Sequence, residues 1–257
     1  MSLRTVSATR YVTPLREGGS MPAVVEADDD GMYVLKFRGA GQGPKALVAE
    51  LIAGEIARTL QLPVPEIVLM ELDPDLARTE PDSEIQHLIR ASEGLNLALD
   101  YLPGSINFDP VAVQPSSELA SRIVWFDAYV SNVDRTPRNT NLLMWHRQLH
   151  LIDHGAALYF HHGWNGGSDN AGSPFKMIKD HVLLPWADAL AEADIALSAR
   201  LNRSVLEDIV AQVPDAWLSG PDAFAGPAAQ RVAYVDYLLR RLELRQAFVQ
   251  EALDARQ

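Results

Sequence analysis

Two short polar loops, separated by an apolar hairpin pattern, constrain this chain of 257 residues more than any other feature. The first loop contains Asp134 and, five positions later, Asn139, and the second contains Asp153 in the sequence Asp-His-Gly. Between them lie apolar runs at 142–145 and 149–152, as in a β-hairpin that delivers two polar tips to one cleft. Turn formation would explain a lone Asp-His-Gly, but the paired arrangement favours a functional cleft.

The order of these side chains is the order in which kinases place a catalytic aspartate and two metal ligands. Phosphoryl transfer needs a carboxylate near the acceptor hydroxyl, which is the role predicted for Asp134. It also needs hard oxygen ligands that hold Mg²⁺ against the nucleotide phosphates, and Asn139 and Asp153 are the candidates. Because Mg²⁺ keeps several of its waters, two protein ligands and the phosphates suffice.

Such a site also needs a lysine on a strand and a glutamate on the following helix. Residues 32–37 form a β-rich run that contains Lys36, and residues 44–60 repeat apolar positions every four residues, which is typical of a helix. Two glutamates, Glu50 and Glu55, lie on opposite flanks of its apolar stripe. We favour Glu50 as the partner of Lys36, because small residues on its flank allow close approach, and we expect Glu55 to face solvent. A solvated role for these charges is the alternative.

Two glycine-containing segments are candidates for binding phosphate. Gly18, Gly19 and Ser20 lie between two strand-like runs, where a hairpin loop would cover the phosphates. The second segment, Gly-x-Gly-x-Gly at 39–43, precedes the helix and its anion-attracting N-terminus. We favour the first, because it precedes the Lys36 strand as in kinases. A plain turn is the alternative for both, and neither is a Walker sequence.

Together these segments resemble the HipA-like kinases, a bacterial group related to the HipA toxin kinases and more distantly to phosphatidylinositol kinases. The resemblance covers nearly the whole chain and rests on Glu50 and on the segments 18–20, 34–37, 94–104, 132–139 and 151–155. It implies ATP-phosphate contact by Lys36 and a catalytic-base role for Asp134. It also implies Mg²⁺ binding by Asn139 and Asp153.

Departures from the eukaryotic protein kinases concern the acceptor. His154 replaces the usual Phe of Asp-Phe-Gly, Asn132 and Val133 precede Asp134 in place of His-Arg, and Ala-Pro-Glu is missing. The HipA relatives phosphorylate protein serine, whereas the phosphatidylinositol relatives phosphorylate a lipid headgroup. The acceptor therefore stays open between a protein Ser or Thr and a small molecule.

The order of predicted elements indicates an α+β, two-lobed fold of the protein-kinase type. A β-rich N-lobe is expected over residues 1–102, and a mainly helical C-lobe over residues 103–257. Backbone groups of Ala98, Leu99 and Asp100, just before the hinge predicted at 100–104, are candidates for adenine contact.

Helices are predicted in the C-lobe at 118–130, 187–199, 204–213 and 228–255. Trp125 and Phe126 of the first helix are assigned to the core. In the last helix, Arg240 and Arg241 are expected on a solvated face, while the apolar stripe consists of Val232, Val235, Leu239, Leu242 and Phe248. A Gly-, Asn- and Ser-rich stretch at 163–173 takes the place of an activation loop, with Ser168 and Ser173 as candidate phosphorylation sites.

The formal net charge of −12 argues against general binding of nucleic acid or anionic membranes. Locally, Arg135 or Arg138 near the proposed phosphates is expected to pair with a phosphate or an acidic acceptor, with a solvated loop charge as the alternative. No apolar run approaches the roughly 18 residues of a membrane span, and the first residues do not resemble a signal peptide. With no Cys in the chain, a cytoplasmic location is expected.

These observations favour an enzyme that uses ATP and Mg²⁺ to phosphorylate an alcohol group. A pseudokinase or partner-binding module without turnover and an enzyme that transfers AMP are the alternatives. The presence of Asp134 beside the ligand pattern argues against the first alternative, because a binding module needs no catalytic aspartate.

Overall fold

A closed five-stranded barrel forms the first part of the molecule. The computed structural model describes residues 3–15, 21–41, 43–164, 169–218 and 224–257. The strands are β1 (Thr5–Pro14), β2 (Ala23–Ala27), β3 (Met32–Lys36), β4 (Ile67–Leu72) and β5 (Gly94–Asp100). Their order is β1-β2-β3-β5-β4, and β1 runs parallel to β4 to close the barrel. In β3, alternation buries Tyr33 and Leu35, so Lys36 lies on the opposite face of the strand.

Helix α1 (Pro44–Thr59) is buried nearly all round rather than along one stripe. It shares an apolar cluster with β4, β5 and the helices of the second half of the chain. Gly54 lets the helix approach β4, because a Cβ atom there would lie 2.4 Å from Ile67 Cδ1. The expectation that Glu55 faces solvent is wrong: this residue is 9% exposed and pairs with Arg58 at 2.7 Å. Packing on both sides of the helix leaves no solvated flank there.

A second sheet contains the predicted hairpin. Its strands are β6 (Ile106–Asn107), β7 (Leu142–Trp145) and β8 (Gln148–Leu151). Leu142 pairs with Leu151, and the Ile152 amide donates to the Asn141 carbonyl at 3.1 Å. The loop before β7 and the loop after β8 therefore leave the hairpin at the same end.

The remaining helices are α2 (Ser83–Ala91), α3 (Ser117–Val130), α4 (Leu190–Ser198), α5 (Arg203–Val210), α6 (Pro227–Glu243) and α7 (Gln246–Asp254). The single helix predicted at 228–255 is therefore two helices, and the second of them, α7, packs on α3 and α4. There Phe248 meets Trp125 edge to face, with ring centroids 5.7 Å apart. Val232, predicted to be core, is exposed, whereas Arg241, predicted to be solvated, is buried. The burial of Trp125 and Phe126 is confirmed.

The distribution of these elements agrees with a mixed α and β kinase-like fold. The barrel lies before residue 101, and five of the seven α-helices in the described part of the chain follow it. Since α1 belongs to the same apolar cluster as the later helices, the division into residues 1–102 and 103–257 stays a prediction. None of the helices in the described segments is long and apolar enough to cross a bilayer.

Candidate active site

An ion triad joins three elements that are distant in sequence. Lys36 ends β3, Glu50 lies in the middle of α1, and Asp153 follows β8. The Lys36 ammonium donates to Glu50 Oε2 and to Asp153 Oδ1, each at 2.6 Å. The Glu50 side chain is fully buried, whereas that of Asp153 is 44% exposed. The predicted lysine, its favoured glutamate and one predicted metal ligand therefore meet at one point.

The protonation states in this triad follow from opposing effects. Burial by itself raises the pKa of Glu50, but the Lys36 ammonium and His154 outweigh burial and hold this pKa at about 2. Burial by itself lowers the pKa of Lys36, but the charges of Asp153 and Glu50 raise it above its ordinary value. Both groups are therefore charged at neutral pH, and the ammonium is fixed in the cleft.

The Glu50→Gln variant is expected to lose part of the acid sensitivity of the fold. With a folded pKa near 2, below the ordinary 4.5, Glu50 stabilises the native state above pH 4.5, and this stability is lost as the pH falls towards 2. The loss is on the order of 3 kcal/mol. Urea unfolding of both proteins should show a larger gap at neutral pH than near about pH 3.

The matched control for that substitution is Glu55→Gln, on the same helix. Its carboxylate pairs with Arg58 at 2.7 Å and does not contact Lys36. A stability gap between the wild type and Glu50→Gln that is constant across this pH range would contradict the role assigned to Glu50.

The loop before β7 holds the carboxylate of Asp134 with amide groups. Asn139 Nδ2 donates to Asp134 Oδ2 at 2.8 Å. Asn141 Nδ2 donates to the same oxygen at 3.3 Å and to the Asp134 carbonyl at 3.1 Å. Asn132 Oδ1 accepts from the Asp134 amide at 3.1 Å. The structure thus brings the predicted residues Asp134 and Asn139 into contact. It adds Asn132 and Asn141, which the sequence could have indicated through the high density of asparagine in this loop.

His154, which replaces the usual Phe, connects α1 to the loop that contains Asp153, the predicted metal ligand. Its ring is fully buried, and Nδ1 lies 3.4 Å from Glu50 Oε1. The ring also meets Phe126 of α3 edge to face, with centroids 5.7 Å apart. The residue after Asp153 therefore contacts the glutamate that pairs with Lys36, which couples the position of the loop to that of the helix.

Arg135 forms the hub of a buried network behind the loop. It is 1% exposed, and its Nε donates to Asp127 Oδ2 of α3 at 2.5 Å. Its Nη1 donates to the carbonyls of Asn141 and Ile152, which flank the hairpin. The expectation that Arg135 pairs with a phosphate is therefore wrong. Its guanidinium forms an ion pair with Asp127, a buried aspartate in an apolar helix. Arg138, the other candidate, is exposed.

His181 adds a second contact to this network. Its Nε2 donates to Asp127 Oδ2 at 2.9 Å, because its Nδ1 accepts from the Leu183 amide at 3.0 Å. Burial lowers the pKa of His181 despite the opposing charge of Asp127, so the ring is neutral. Burial raises the pKa of Asp127, but Arg135 and His181 hold it below its usual range. The sequence signal for this site was Asp127 itself, a charge inside an apolar helix.

Arg241 fastens the segment after Asp153 to the end of α3. Its guanidinium donates to the Ala128 and Tyr129 carbonyls at 2.6 and 2.7 Å. It also donates to the Ala171 and Ser173 carbonyls at 3.0 and 3.2 Å. The predicted solvated face is wrong here, because the C-terminal carbonyls of α3 need a donor and α6 supplies one.

The other predicted ligand-binding residues have different placements. Gly18, Gly19, Ser20 and Ser168 lie outside the described residues. Ala98, Leu99 and Asp100 lie on β5, which pairs with β3 on one side and, at Ala98 and Leu99, with β4 on the other. The Asp100 amide donates to the Glu66 carbonyl at 2.8 Å. These backbone groups belong to the barrel ladder, which argues against their predicted contact with adenine.

The second glycine segment has packing roles in the part that the structure describes. The Gly39 amide donates to Ser92 Oγ at 3.0 Å, and a Cβ atom at Gly39 would lie 3.0 Å from Ala91. Gly43 precedes α1 with a φ of 67°, a conformation that favours glycine. Neither the contacts of Gly39 nor the backbone conformation of Gly43 indicates a phosphate site.

Comparison with known proteins gives one family match over most of the chain. A model described as HipA-like kinase matches residues 9–251. No curated protein matches the chain. The fold is similar to the crystal structure of the Helicobacter pylori proinflammatory kinase CtkA, with 12% identity, 98% of each chain covered and a TM-score of 0.54.

Two structures of the Golgi casein kinase are more distant. One has 10% identity and covers 96% of this chain and 73% of that one, with a TM-score of 0.44. The other, with Mn/ADP bound, has 11% identity and covers 95% and 74%, also with a TM-score of 0.44.

Proposed function

The chain belongs to the HipA-like kinase family, and from this premise we propose that it uses ATP and Mg²⁺ to phosphorylate a hydroxyl group of a protein Ser or Thr or of a small molecule. One observation carries the proposal. Lys36 lies 2.6 Å from both Glu50 and Asp153, and Asp153 leaves the hairpin at the end where Asn139 holds Asp134. This is the set of groups that phosphoryl transfer needs.

Lys36 binds the nucleotide phosphates in this proposal. An ammonium group has three donors, and Glu50 and Asp153 accept two of them. The third is left for a phosphate oxygen. Because both carboxylates hold Nζ in place, the positive charge needs no reorganisation when phosphate arrives.

Asn139 and Asp153 are the proposed ligands of Mg²⁺, and the local charge fits a cation. Glu50 and Asp153 place two carboxylates against the single ammonium of Lys36. Asp134 adds a third carboxylate on the loop at the same end of the hairpin. No group of three or more His, Asp or Glu side chains within the described ranges could hold a metal, so phosphates and water would complete the shell. When bound, Mg²⁺ would neutralise phosphate charge.

Asp134 orients the acceptor hydroxyl and accepts its proton. Asn139 and Asn141 both donate to Oδ2, which fixes the carboxylate and leaves Oδ1 for the acceptor in this proposal. Placed opposite the γ-phosphate, such a carboxylate favours in-line transfer.

Labelled nucleotide tests this function directly. The pure protein is incubated with Mg²⁺ and ATP labelled on the γ-phosphate or, separately, on the α-phosphate, with and without cell lysate. Transfer from the γ position alone is expected. Transfer from the α position would instead identify an AMP transferase, and ATP binding by calorimetry without any transfer would favour a pseudokinase.

A further inference from the structure

An open groove of about 500 Å³ lies beside the proposed catalytic loop. Its lining includes Val133, which directly precedes Asp134, so the Cα atoms of these two residues are about 3.8 Å apart. Tyr159, Phe160 and Met177 of the segment after Asp153 also line the groove. The groove is therefore placed where an acceptor would extend beyond its reacting hydroxyl.

Two stacked aromatic rings are part of the groove lining. Phe160 stacks on Tyr237 of α6, with ring centroids 3.5 Å apart and an angle of 17° between the rings. At the rim, Tyr159 is 58% exposed and Met177 is 48% exposed. Large exposed apolar side chains around a concave surface indicate a binding site for an apolar group.

The charge of the groove differs from that of the molecule. Its lining includes two cations, Lys176 and Arg241, and no carboxylate within the described part of the chain. The chain as a whole carries a net charge of −12. Arg241 donates to four backbone carbonyls, whereas Lys176 stands exposed at the rim. An occupant with an acidic group would complement this local positive charge.

We propose that this groove binds the acceptor, and that the acceptor is a protein segment with a large apolar side chain next to an acidic residue. The inference rests on the proposed function and narrows its acceptor class. A small polar alcohol would gain little from the stacked rings, because polar groups lose hydration on an apolar surface. A peptide supplies the hydroxyl, the apolar side chain and the acid together.

Synthetic peptides with one serine test the proposal. At each position flanking the serine, Phe is compared with Ala and, beside it, Asp is compared with Lys. Label transfer from γ-labelled ATP should show Phe preferred over Ala by roughly tenfold or more at one position. Asp should be preferred over Lys by roughly two- to fivefold.

Reversing the charge of Lys176 tests whether the acidic residue of the peptide binds in the groove. Lys176→Glu should reverse the preference, so that the Lys peptide becomes the better substrate, with ATP affinity unchanged. The matched control is Lys179→Glu, which reverses an exposed lysine of the same turn that does not line the groove. It should keep the preference for Asp.

A binding measurement separates this inference from the proposed function. Fluorescence anisotropy of a labelled peptide with Ala in place of the serine needs no catalysis, and it should show the same Phe and Asp preferences. Selective binding without any transfer of label would support the groove and overturn the function. Transfer with no selectivity, equal effects of Lys176→Glu and Lys179→Glu, or transfer to small molecules but to no peptide would overturn the groove and leave the function standing.

Discussion

The Asp153→Ala variant is expected to transfer γ-phosphate at least roughly 10³-fold more slowly than the wild type while remaining folded. Asp153 is the proposed charged ligand of the metal and one of the two carboxylates that hold Lys36 at 2.6 Å. Its side chain is 44% exposed, so its removal leaves no large buried cavity. Lys36 loses one of its two carboxylate partners but keeps the other, Glu50. Transfer of label and the thermal midpoint are measured together.

The control for this variant is Asp208→Ala, which removes an exposed aspartate from α5. It should leave both transfer and stability unchanged. An Asp153→Ala protein that retains more than a tenth of the activity would contradict the assignment. A protein that has lost its folded structure would be replaced in the assay by Asp153→Asn, which keeps the shape and removes the charge.

The second large effect is expected for Asp134→Asn, which should lower kcat roughly 10²- to 10⁴-fold with little change in ATP affinity. Asp134 is held by Asn139 and Asn141, and Lys36 donates to Glu50 and Asp153 instead. Loss of its charge therefore affects the acceptor hydroxyl and not the ammonium. Steady-state kinetics and calorimetric titration with ATP separate the two effects.

The contrast between the two variants is itself a test. Asp153→Ala should weaken binding of ATP in the presence of Mg²⁺, whereas Asp134→Asn should not. Equal weakening by both substitutions would mean that Asp134 belongs to the nucleotide site rather than to the acceptor side.

The elements nearest the motifs were predictable from the sequence. The hairpin, α3 and α1 occur where the apolar periodicity predicted them, because that periodicity directly reflects a buried face. Closure of the barrel was not predictable, since the parallel contact of β1 with β4 joins segments about sixty residues apart. The break between α6 and α7 has the same origin, because it depends on the packing of Phe248 against α3.

The burial of charged residues could not be predicted from local sequence patterns. Glu50 was separated from Glu55 by the size of its neighbours, yet Glu55 is also nearly buried because α1 packs on two sides. Arg241 lies beside Arg240 on a helix whose apolar pattern predicted that both side chains would be solvated. Only the carbonyls of α3, over a hundred positions away, explain why Arg241 is inside.

The sequence by itself determined the order and spacing of Lys36, Glu50, Asp134, Asn139 and Asp153, because short-range spacing and residue chemistry need no knowledge of packing. The tertiary structure alone decided that Arg135 faces Asp127, a buried carboxylate, and not a phosphate. It also decided that the segment after Asp153 forms an apolar groove with α6. The physical reason is burial: whether a charge meets water, a carboxylate or a ligand depends on segments that only the fold brings together.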